Sequence, residues 1–417
     1  MQWLKEIPSH WEVCLLGSLA KLKTGGTPSF YLKEVEEDSV DWFTPSDFTD
    51  SFDLKKAGRK LNKRDFEEAG IAYFPPNSIL IIGIGGTAGK VSYNSIPCYS
   101  NQQITAIIPY RDVNSVFCTM YIRSLRDFLL KTAPYTTLPI LNNTFLSSIK
   151  VVLPPLAEQE KIVSYLEDKT SKIDAYVADK EKEIELLQEL KQETIADAVT
   201  KGLNPDAKMK DSGISWIGEI PEHWEVKQLR SFLSLFTEKG HGDAQLLSVT
   251  REQGVILRDK DNKEENHNFV PEDLSGYKYI EKGDFAINKM KAWQGSYAVS
   301  DYCGIVSPAY FTCKLKGVNK DFFSRAIRSK AYIPFFTQYS KGIRVDQWDL
   351  NPNALKSIPF LLPPVDEQQA IVSYIEEKCE KIDKLASKLQ SEIGHLKEYK
   401  QRLIADCVTG QINVQDL

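Results

Sequence analysis

The sequence contains two near-copies of one segment, and this repeat constrains the fold more than any other feature. LPPLAEQEKIVSYLEDKTSKID at 153–174 returns as LPPVDEQQAIVSYIEEKCEKID at 362–383, an offset of 209 residues. A second pair, IPSHWEVCLLGSL at 7–19 and IPEHWEVKQLRSF at 220–232, is offset by 213 residues. Internal repetition indicates a duplicated structural unit. We therefore predict two similar halves, each with a divergent segment followed by a constant one.

The constant segments have the pattern of long helices. Each follows a Pro-Pro pair, and no further Gly or Pro interrupts it for roughly 40 residues, about 60 Å of helix, except Gly394. Apolar residues recur at steps of three and four, as in a coiled coil. Because the copies are nearly identical, we expect them to pack against each other, antiparallel about a pseudo-two-fold axis. The alternative is that each helix packs only on its own domain. The residues predicted to form the core of the helix pair are Ile173, Ile184, Leu187, Ile382, Leu385, Leu389, Ile393 and Leu396.

The divergent segments have a mixed pattern. Strand-like runs bounded by turn residues include SILIIGI at 78–84 and GIVSPAYFTCKL at 304–315, and each segment ends in a helical stretch. The predicted fold class is α/β (α+β), with two α/β domains joined by two long antiparallel coiled-coil helices in a pseudo-two-fold repeat. The predicted boundaries are 1–152, 153–204, 205–361 and 362–417.

The acidic residues are concentrated in the constant segments. The chain carries a net charge of −5, but segments 153–204 and 362–417 contribute −5 and −3, whereas 1–152 and 205–361 contribute +1 and +2. Overall acidity therefore does not exclude nucleic-acid binding by the divergent domains. Seven scattered cysteines without a CxxC pair, no signal peptide pattern and no apolar run long enough for a membrane span predict a cytoplasmic protein.

Known catalytic motifs are absent from the sequence. GIGGTAGKV at 83–91 resembles a phosphate-binding P-loop, but Ile84 stands where the first glycine belongs and Val91 where a magnesium-binding Ser or Thr belongs. The five histidines do not cluster, so no metal site is predicted, and no cofactor motif occurs. His10 and His223 share the IPxHW motif, where a structural role beside the tryptophan is expected. We predict no catalytic residue and no cofactor.

The divergent domains contain loops that mix amides, cations and aromatic residues. In DNA recognition, Asn, Gln, Arg and Lys read base edges, while Lys, hydroxyl groups and backbone amides bind phosphates. The alternative for each loop is an ordinary solvated surface. The candidate DNA-binding residues are Thr87, Lys90, Asn101, Gln102, Gln103, Arg251, Lys289, Lys291, Trp293, Gln294 and Arg344.

Taken together, these motifs resemble the specificity (S) subunit of type I restriction-modification systems. The resemblance covers essentially the whole chain and depends on the paired IPxHW starts, the paired LPPxxEQxxIVxY helices, and the stretches SILIIGIGGTAGKV and GDFAINKMKAWQGSY. It implies two target-recognition domains, 1–152 and 205–361, which read the two halves of a bipartite double-stranded DNA target. It also implies that the helical spacers set the gap between the half-sites. Gly85, Gly86, Gly89 and Lys90 would then lie toward DNA phosphate.

The resemblance also places the chemistry on partner subunits. Two methyltransferase (modification) subunits would carry S-adenosylmethionine, and restriction subunits would use ATP, whereas this chain would be non-catalytic. The difference between the domains predicts an asymmetric target. The alternative function is a two-domain protein-binding adaptor with a coiled-coil core and no DNA readout; a standalone methyltransferase would need motifs that the sequence lacks.

Overall fold

The computed structural model divides into two compact units of mixed helix and strand. Unit 1 comprises Met1–Lys180 and Ser391–Leu417, and unit 2 comprises Glu181–Gln390. No helix in the described part of the chain is long and apolar enough to cross a membrane. The structure describes residues 7–29, 39–49, 51–110, 113–134, 139–259, 271–342 and 348–414.

The described residues of unit 1 form ten strands and five short helices before the first long helix. Its strands are β1 (Glu12–Leu15), β2 (Ala20–Thr24), β3 (Ser39–Phe43), β4 (Asp53–Leu54), β5 (Lys60–Asn62), β6 (Ile79–Ile82), β7 (Val91–Asn94), β8 (Cys98–Ser100), β9 (Ile104–Pro109) and β10 (Lys150–Leu153). Its short helices are α1 (Leu16–Leu19), α2 (Lys63–Glu68), α3 (Ser115–Ser124), α4 (Arg126–Thr132) and α5 (Asn143–Ser148).

The core of unit 1 lies on both faces of a five-stranded sheet of order β2-β9-β6-β7-β4. Along β6, Ile79 and Ile81 join one apolar cluster, which includes residues of α3, while Leu80 and Ile82 join another on the opposite face. Side chains alternate between the two faces of a strand, so a strand buried on both faces is apolar throughout. This explains the uninterrupted run SILIIGI. A three-stranded sheet of order β5-β3-β8 completes the domain.

The described residues of unit 2 form fourteen strands and three short α-helices. Its strands are β11 (Met209–Asp211), β12 (Glu219–Pro221), β13 (Glu225–Gln228), β14 (Leu233–Phe236), β15 (Leu247–Thr250), β16 (Gly254–Leu257), β17 (Lys278–Ile280), β18 (Phe285–Ile287), β19 (Tyr297–Val299), β20 (Gly304–Val306), β21 (Phe311–Leu315), β22 (Ser340–Lys341), β23 (Asp349–Leu350) and β24 (Pro359–Leu362). Its short helices are α7 (Lys320–Arg328), α8 (Ile333–Tyr339) and α9 (Pro352–Ser357).

The sheets of unit 2 repeat the plan of unit 1. The order β14-β21-β18-β19 corresponds to β2-β9-β6-β7, and all of these neighbours pair antiparallel. The pair β1–β10, with Glu12 opposite Leu153, corresponds to β13–β24, with Glu225 opposite Leu362. The divergent segments therefore share one architecture, as the flanking repeats predict, although the order of their strands could not be predicted from their sequences.

Two long helices follow the domains, as the sequence predicts. Helix α6 (Leu156–Lys201) has 46 residues and passes from unit 1 into unit 2, and α10 (Val365–Val408) has 44 residues and passes from unit 2 into unit 1. In unit 1 the start of α6 shares an apolar core with the end of α10, and in unit 2 the end of α6 shares one with the start of α10. Within each unit the two helix segments therefore run antiparallel.

An ion pair joins the helices within each unit. Lys400 binds Asp174 with an N–O distance of 2.6 Å in unit 1, and Lys191 binds Asp383 at 2.7 Å in unit 2. The offset of 209 residues relates Asp174 to Asp383 and Lys191 to Lys400, so one pairing scheme occurs twice.

The stripe predicted for the helix pair is uneven in its burial. Leu389 and Ile393 are buried. The prediction for Leu385 is wrong, because its side chain is 42% exposed and its repeat equivalent, Tyr176, is 49% exposed. That position lies outside the packed stripe in both copies. The half-buried members of the predicted core are Ile173, Ile184, Leu187, Ile382 and Leu396.

Candidate nucleic-acid interface

Three loops of unit 1 meet where β2 and β6 end and β9 begins. We call them the amide loop cluster, residues 25–27, 83–87 and 101–103. Gly25 N–H donates to Ile104 O at 3.0 Å and Gly83 N–H donates to Gln103 O at 2.7 Å, which ties the first two loops to the third. A side chain at Gly25 would clash with backbone oxygens of residues 100 and 101, so the close approach requires glycine. The sequence predicted candidates in two of these loops, Thr87 and Asn101–Gln103, but not that the three loops touch.

Side chains of the amide loop cluster are joined by hydrogen bonds. The Thr27 hydroxyl donates to Gln102 Oε1 at 2.8 Å, and Asn101 Nδ2 donates to Gln103 Oε1 at 2.9 Å. Gln102 is exposed, whereas Asn101 and Gln103 are half-buried. The cluster therefore presents neutral amide groups in fixed orientations, which suits the reading of base edges.

Two other candidates of unit 1 are less available. Thr87 is half-buried, and Lys90 is half-buried with its ammonium group donating to Phe48 O at 3.3 Å. Arg126 stabilises the loop that carries them, because its guanidinium group donates to Ala88 O at 3.3 Å. The contacts place Lys90 on the domain's own backbone rather than beside Gln102 or Gln103.

Unit 2 presents a different surface, the basic loop cluster, formed by residues 250–254, 288–295 and 348–350. Arg251 and Lys291 are exposed, and Gln294 is half-buried. Lys289 is already paired, with its Nζ 2.9 Å from Asp349 Oδ2. Cations on exposed loops attract DNA phosphates and can read guanine.

Trp293 lies close to two lysines in the sequence, but in the structure its side chain packs against another residue. Its ring packs edge to face against Trp348, with centroids 5.4 Å apart, and its carbonyl oxygen accepts a hydrogen bond from the Thr337 hydroxyl at 3.1 Å. The tryptophan therefore supports the loop as well as facing solvent. Arg344, the remaining candidate, lies outside the described residues.

Arg328 positions the basic loop cluster, and the sequence reading missed it. Its guanidinium group donates to Tyr297 O at 3.0 Å, Arg251 O at 3.1 Å and Glu252 O at 2.7 Å. Burial lowers the pKa of this guanidinium. The available signal was the tripeptide IRS, which occurs at 122–124 and again at 327–329. In unit 1 the equivalent Arg123 lies over the Phe52 ring instead, at 4.6 Å.

A second structure, which we call the junction, is the same in both units and joins each domain to its helix. In unit 1 Glu158 binds His10 Nε2 through Oε2 at 2.8 Å and Trp11 Nε1 through Oε1 at 3.1 Å. In unit 2 Glu367 binds both His223 Nε2, at 2.7 Å, and Trp224 Nε1, at 3.0 Å, through Oε2. Two histidines of the repeat therefore have a structural role.

The glutamine that follows each junction glutamate links three elements. Gln159 donates to Pro154 O at 2.8 Å and accepts from the backbone N–H of Asn114, the N-cap of α3, at 2.8 Å. Gln368 does the same with Pro363 O, at 2.8 Å, and Asn319, the N-cap of α7, at 3.0 Å. The repeated Glu-Gln pair thus fixes each domain on the first turn of its own helix.

Known proteins are similar to this chain in sequence. Residues 8–186 match the family described as the type I restriction modification DNA specificity domain. The matched residues, which make up less than half of the chain, are similar to DNA specificity domains of type I restriction-modification. Over nearly its whole length the chain is similar to a type I restriction enzyme specificity subunit, so the predicted resemblance is confirmed. It is 24% identical to the type I restriction enzyme MjaVIII specificity subunit of Methanocaldococcus jannaschii, with 99% of this chain and 95% of that one covered.

Solved structures support the fold. The HsdS subunit from Thermoanaerobacter tengcongensis is similar with a TM-score of 0.54 at 13% identity, covering 98% of this chain and 99% of that one. A chain from a study of complex assembly and conformational transition of the type I R-M system has a TM-score of 0.67 at 13% identity, covering 98% and 100%. The predicted fold class, two α/β domains joined by long coiled-coil helices, is confirmed.

Proposed function

We propose that this chain recognises a bipartite, asymmetric DNA target and directs catalytic partner subunits to it. One observation carries the proposal. The two units have the same sheet order and the same junction, but their loop clusters differ in chemistry. Two domains with the same fold but different loop surfaces are suited to binding two different sequences of the same type of ligand. The description of the matching family, a DNA specificity domain, supports DNA as that ligand.

The two loop clusters offer different chemistry to a DNA groove. Unit 1 presents the amides of Asn101, Gln102 and Gln103, and unit 2 presents the cations Arg251 and Lys291. A good bidentate contact to a base contributes about 1–3 kcal/mol of discrimination, so contacts in both half-sites together give a strong preference for the target. Because the clusters differ, the two half-sites differ.

We propose that the chain itself is non-catalytic. Two modification subunits would bind S-adenosylmethionine and flip the target base out of the duplex, since methyl transfer to a base requires it to leave the stack. Restriction subunits that use ATP would join them. The segments 153–204 and 362–417, which are acidic and carry exposed apolar side chains such as Leu190 and Tyr399, are the proposed spacer and docking region.

Methylation mapping of DNA from a host that carries the complete system tests the proposal. We expect one motif with two unlike half-sites separated by bases of any identity. A palindromic motif, or no motif that depends on this chain, contradicts the proposal. Binding by the purified complex should also fall steeply with salt, since several phosphate contacts release counterions.

A variant of unit 2 tests which domain reads which half. We expect Lys291→Ala, in the complex with the modification subunits, to weaken binding by about 1–3 kcal/mol for the target and to relax the preference at one half-site only. Lys282→Ala is the matched control, because Lys282 is equally exposed in the turn before β18. Equal weakening for unrelated DNA would show that Lys291 contacts phosphate alone.

A further inference from the structure

The orientation of the Gln103 amide is fixed by a backbone donor. Gln103 N–H donates to Asn101 Oδ1 at 3.1 Å, and a backbone N–H can only donate, so the atom facing it must be the oxygen of Asn101. The other atom of that amide is therefore Nδ2, which donates to Gln103 Oε1 at 2.9 Å. Two successive hydrogen bonds leave Gln103 Nε2 pointing away from Asn101, and among the described residues none accepts a hydrogen bond from it.

The neighbouring Gln102 has the same polarity. Its Oε1 accepts from the Thr27 hydroxyl, so its amide nitrogen is the outward group as well. Glutamine usually reads adenine with both ends of its amide, the oxygen accepting from N6 and the nitrogen donating to N7. In this cluster both carbonyl oxygens are engaged by the protein, and the groups that remain are donors. Such a surface is complementary to acceptors.

Two glycines without side chains, Gly85 and Gly86, lie in the loop next to Gln103. A Cβ at Gly86 would meet nothing within 4 Å, and a Cβ at Gly85 would lie 3.4 Å from Gln103 Nε2. A side chain at Gly85 would therefore crowd the outward donor, and Gly85 has a φ of +103°, which disfavours any other residue. The glycines leave a gap in front of the amide.

We propose that unit 1 reads guanine in its half-site through donors alone, with Gln103 Nε2 directed at the O6 and N7 acceptors of the base and Asn101 acting as the positioning residue. Guanine is the base whose major-groove edge presents two adjacent acceptors. This inference rests on the proposed function and adds to it the identity of a base and the residue that reads it. Gln102 Nε2 extends the row of donors by one position.

The variant Gln103→Glu tests the polarity without removing the internal contact. Glutamate keeps an oxygen for Asn101 Nδ2 and replaces the outward NH2 by an oxygen that accepts but cannot donate. In the complex with the modification subunits, we expect affinity for the target to fall about 5- to 150-fold, which corresponds to the loss of one base contact. Affinity for unrelated DNA should change much less. Asn77→Asp adds the same charge to an exposed position of unit 1 and serves as the control, because Asn77 precedes β6 and lies at the opposite end of that strand from the amide loop cluster.

A modified base identifies the partner of Gln103. Replacing single guanines of the target by 7-deazaguanine removes the N7 acceptor. At one guanine of the unit 1 half-site we expect wild-type binding to weaken, and Gln103→Glu to show no further loss at that position. Asn101→Asp, which can no longer donate to Gln103 Oε1, should reduce discrimination at the same guanine while leaving the other half-site unchanged.

Three outcomes overturn the inference while the proposed function stands. These are a unit 1 half-site without guanine, unchanged target binding by Gln103→Glu, and an equal loss for target and unrelated DNA, which would identify the ligand of Nε2 as phosphate. Failure of the wild-type complex to prefer any sequence overturns the proposed function itself, so the two failures are distinguishable.

Discussion

In unit 1 the carboxylate of Glu158 holds His10 and Trp11, and in unit 2 that of Glu367 holds His223 and Trp224, in nearly the same geometry. The loop clusters at the sheets of the same units share no such likeness. The residues that repeat are those that attach a domain to its helix. The loop residues that diverge lie at the surface, so the attachment of domain to helix is common to both units, whereas the loop surface differs between them.

The two junctions differ in one respect that a mutation can reveal. Glu158 uses both carboxylate oxygens and its side chain is 9% exposed, whereas Glu367 uses one oxygen for both partners and is 23% exposed. If the Glu367 carboxylate is removed, water can therefore accept some of the hydrogen bonds that it accepts now.

The largest expected effect is the loss of the unit 1 junction. We expect Glu158→Ala to lower the free energy of unfolding by about 2–3 kcal/mol, because it leaves the Trp11 N–H without an acceptor at a nearly buried position. For Glu367→Ala we expect about 1 kcal/mol, because water can reach the Trp224 N–H through the more exposed position of Glu367. Urea unfolding, with hydrogen exchange to assign the loss to a unit, measures both. Glu160→Ala, an exposed neighbour on α6, is the control. A larger loss at Glu367 would reverse the comparison.

The helix ends give a second pair of tests. Gly202 and Gly410 both have a φ of +74° and both lie against a junction. A Cβ would lie 2.5 Å from Pro8 Cδ at Gly410, but 2.9 Å from Glu367 Oε1 at Gly202. A proline ring moves less readily than a carboxylate. We therefore expect each alanine variant to have a free energy of unfolding lower by about 1–2 kcal/mol, because alanine is strained in the left-handed conformation. The decrease should be larger for Gly410→Ala.

Gly394 supplies the control for these variants. It lies inside α10, and a Cβ there would meet nothing within 4 Å. Gly394→Ala should therefore stabilise the protein by about 0.5–1 kcal/mol, since alanine has the higher helix propensity. Thermal unfolding of the three variants together checks the order. Stabilisation by Gly410→Ala would mean that the helix end does not pack on the junction.

The sequence predicted the long helices well because their signals are local. A Pro-Pro pair, acidic residues in the first turn and an unbroken apolar periodicity all lie within the segment that folds. The matching sheet order of the two domains was not predictable, because β2 pairs with β9 across about 80 residues and such long-range pairing leaves little trace in the local pattern.

The loop residues show where sequence reasoning about sites reaches its limit. Residue type singled out Asn101 and Gln103 as candidates, but it could not show that one orients the other. It also ranked Lys289 and Trp293 as recognition residues, whereas Asp349 and Trp348 engage them. Whether a polar side chain faces outward depends on which neighbour the fold brings to it, and that neighbour is distant in the chain.

The smallest expected effect concerns the ion pairs between the helices, which should be equal in the two units. The lysines are 24% and 29% exposed and the aspartates 60% and 59%, so solvent screens both pairs to a similar degree. Double-mutant cycles with Asp174→Asn and Lys400→Gln, and with Asp383→Asn and Lys191→Gln, should each give a coupling of at most about 1 kcal/mol that declines with salt. A coupling that is large in one unit and absent in the other would show that the two helix segments are not equivalent. The likeness of the units would then be confined to the junctions.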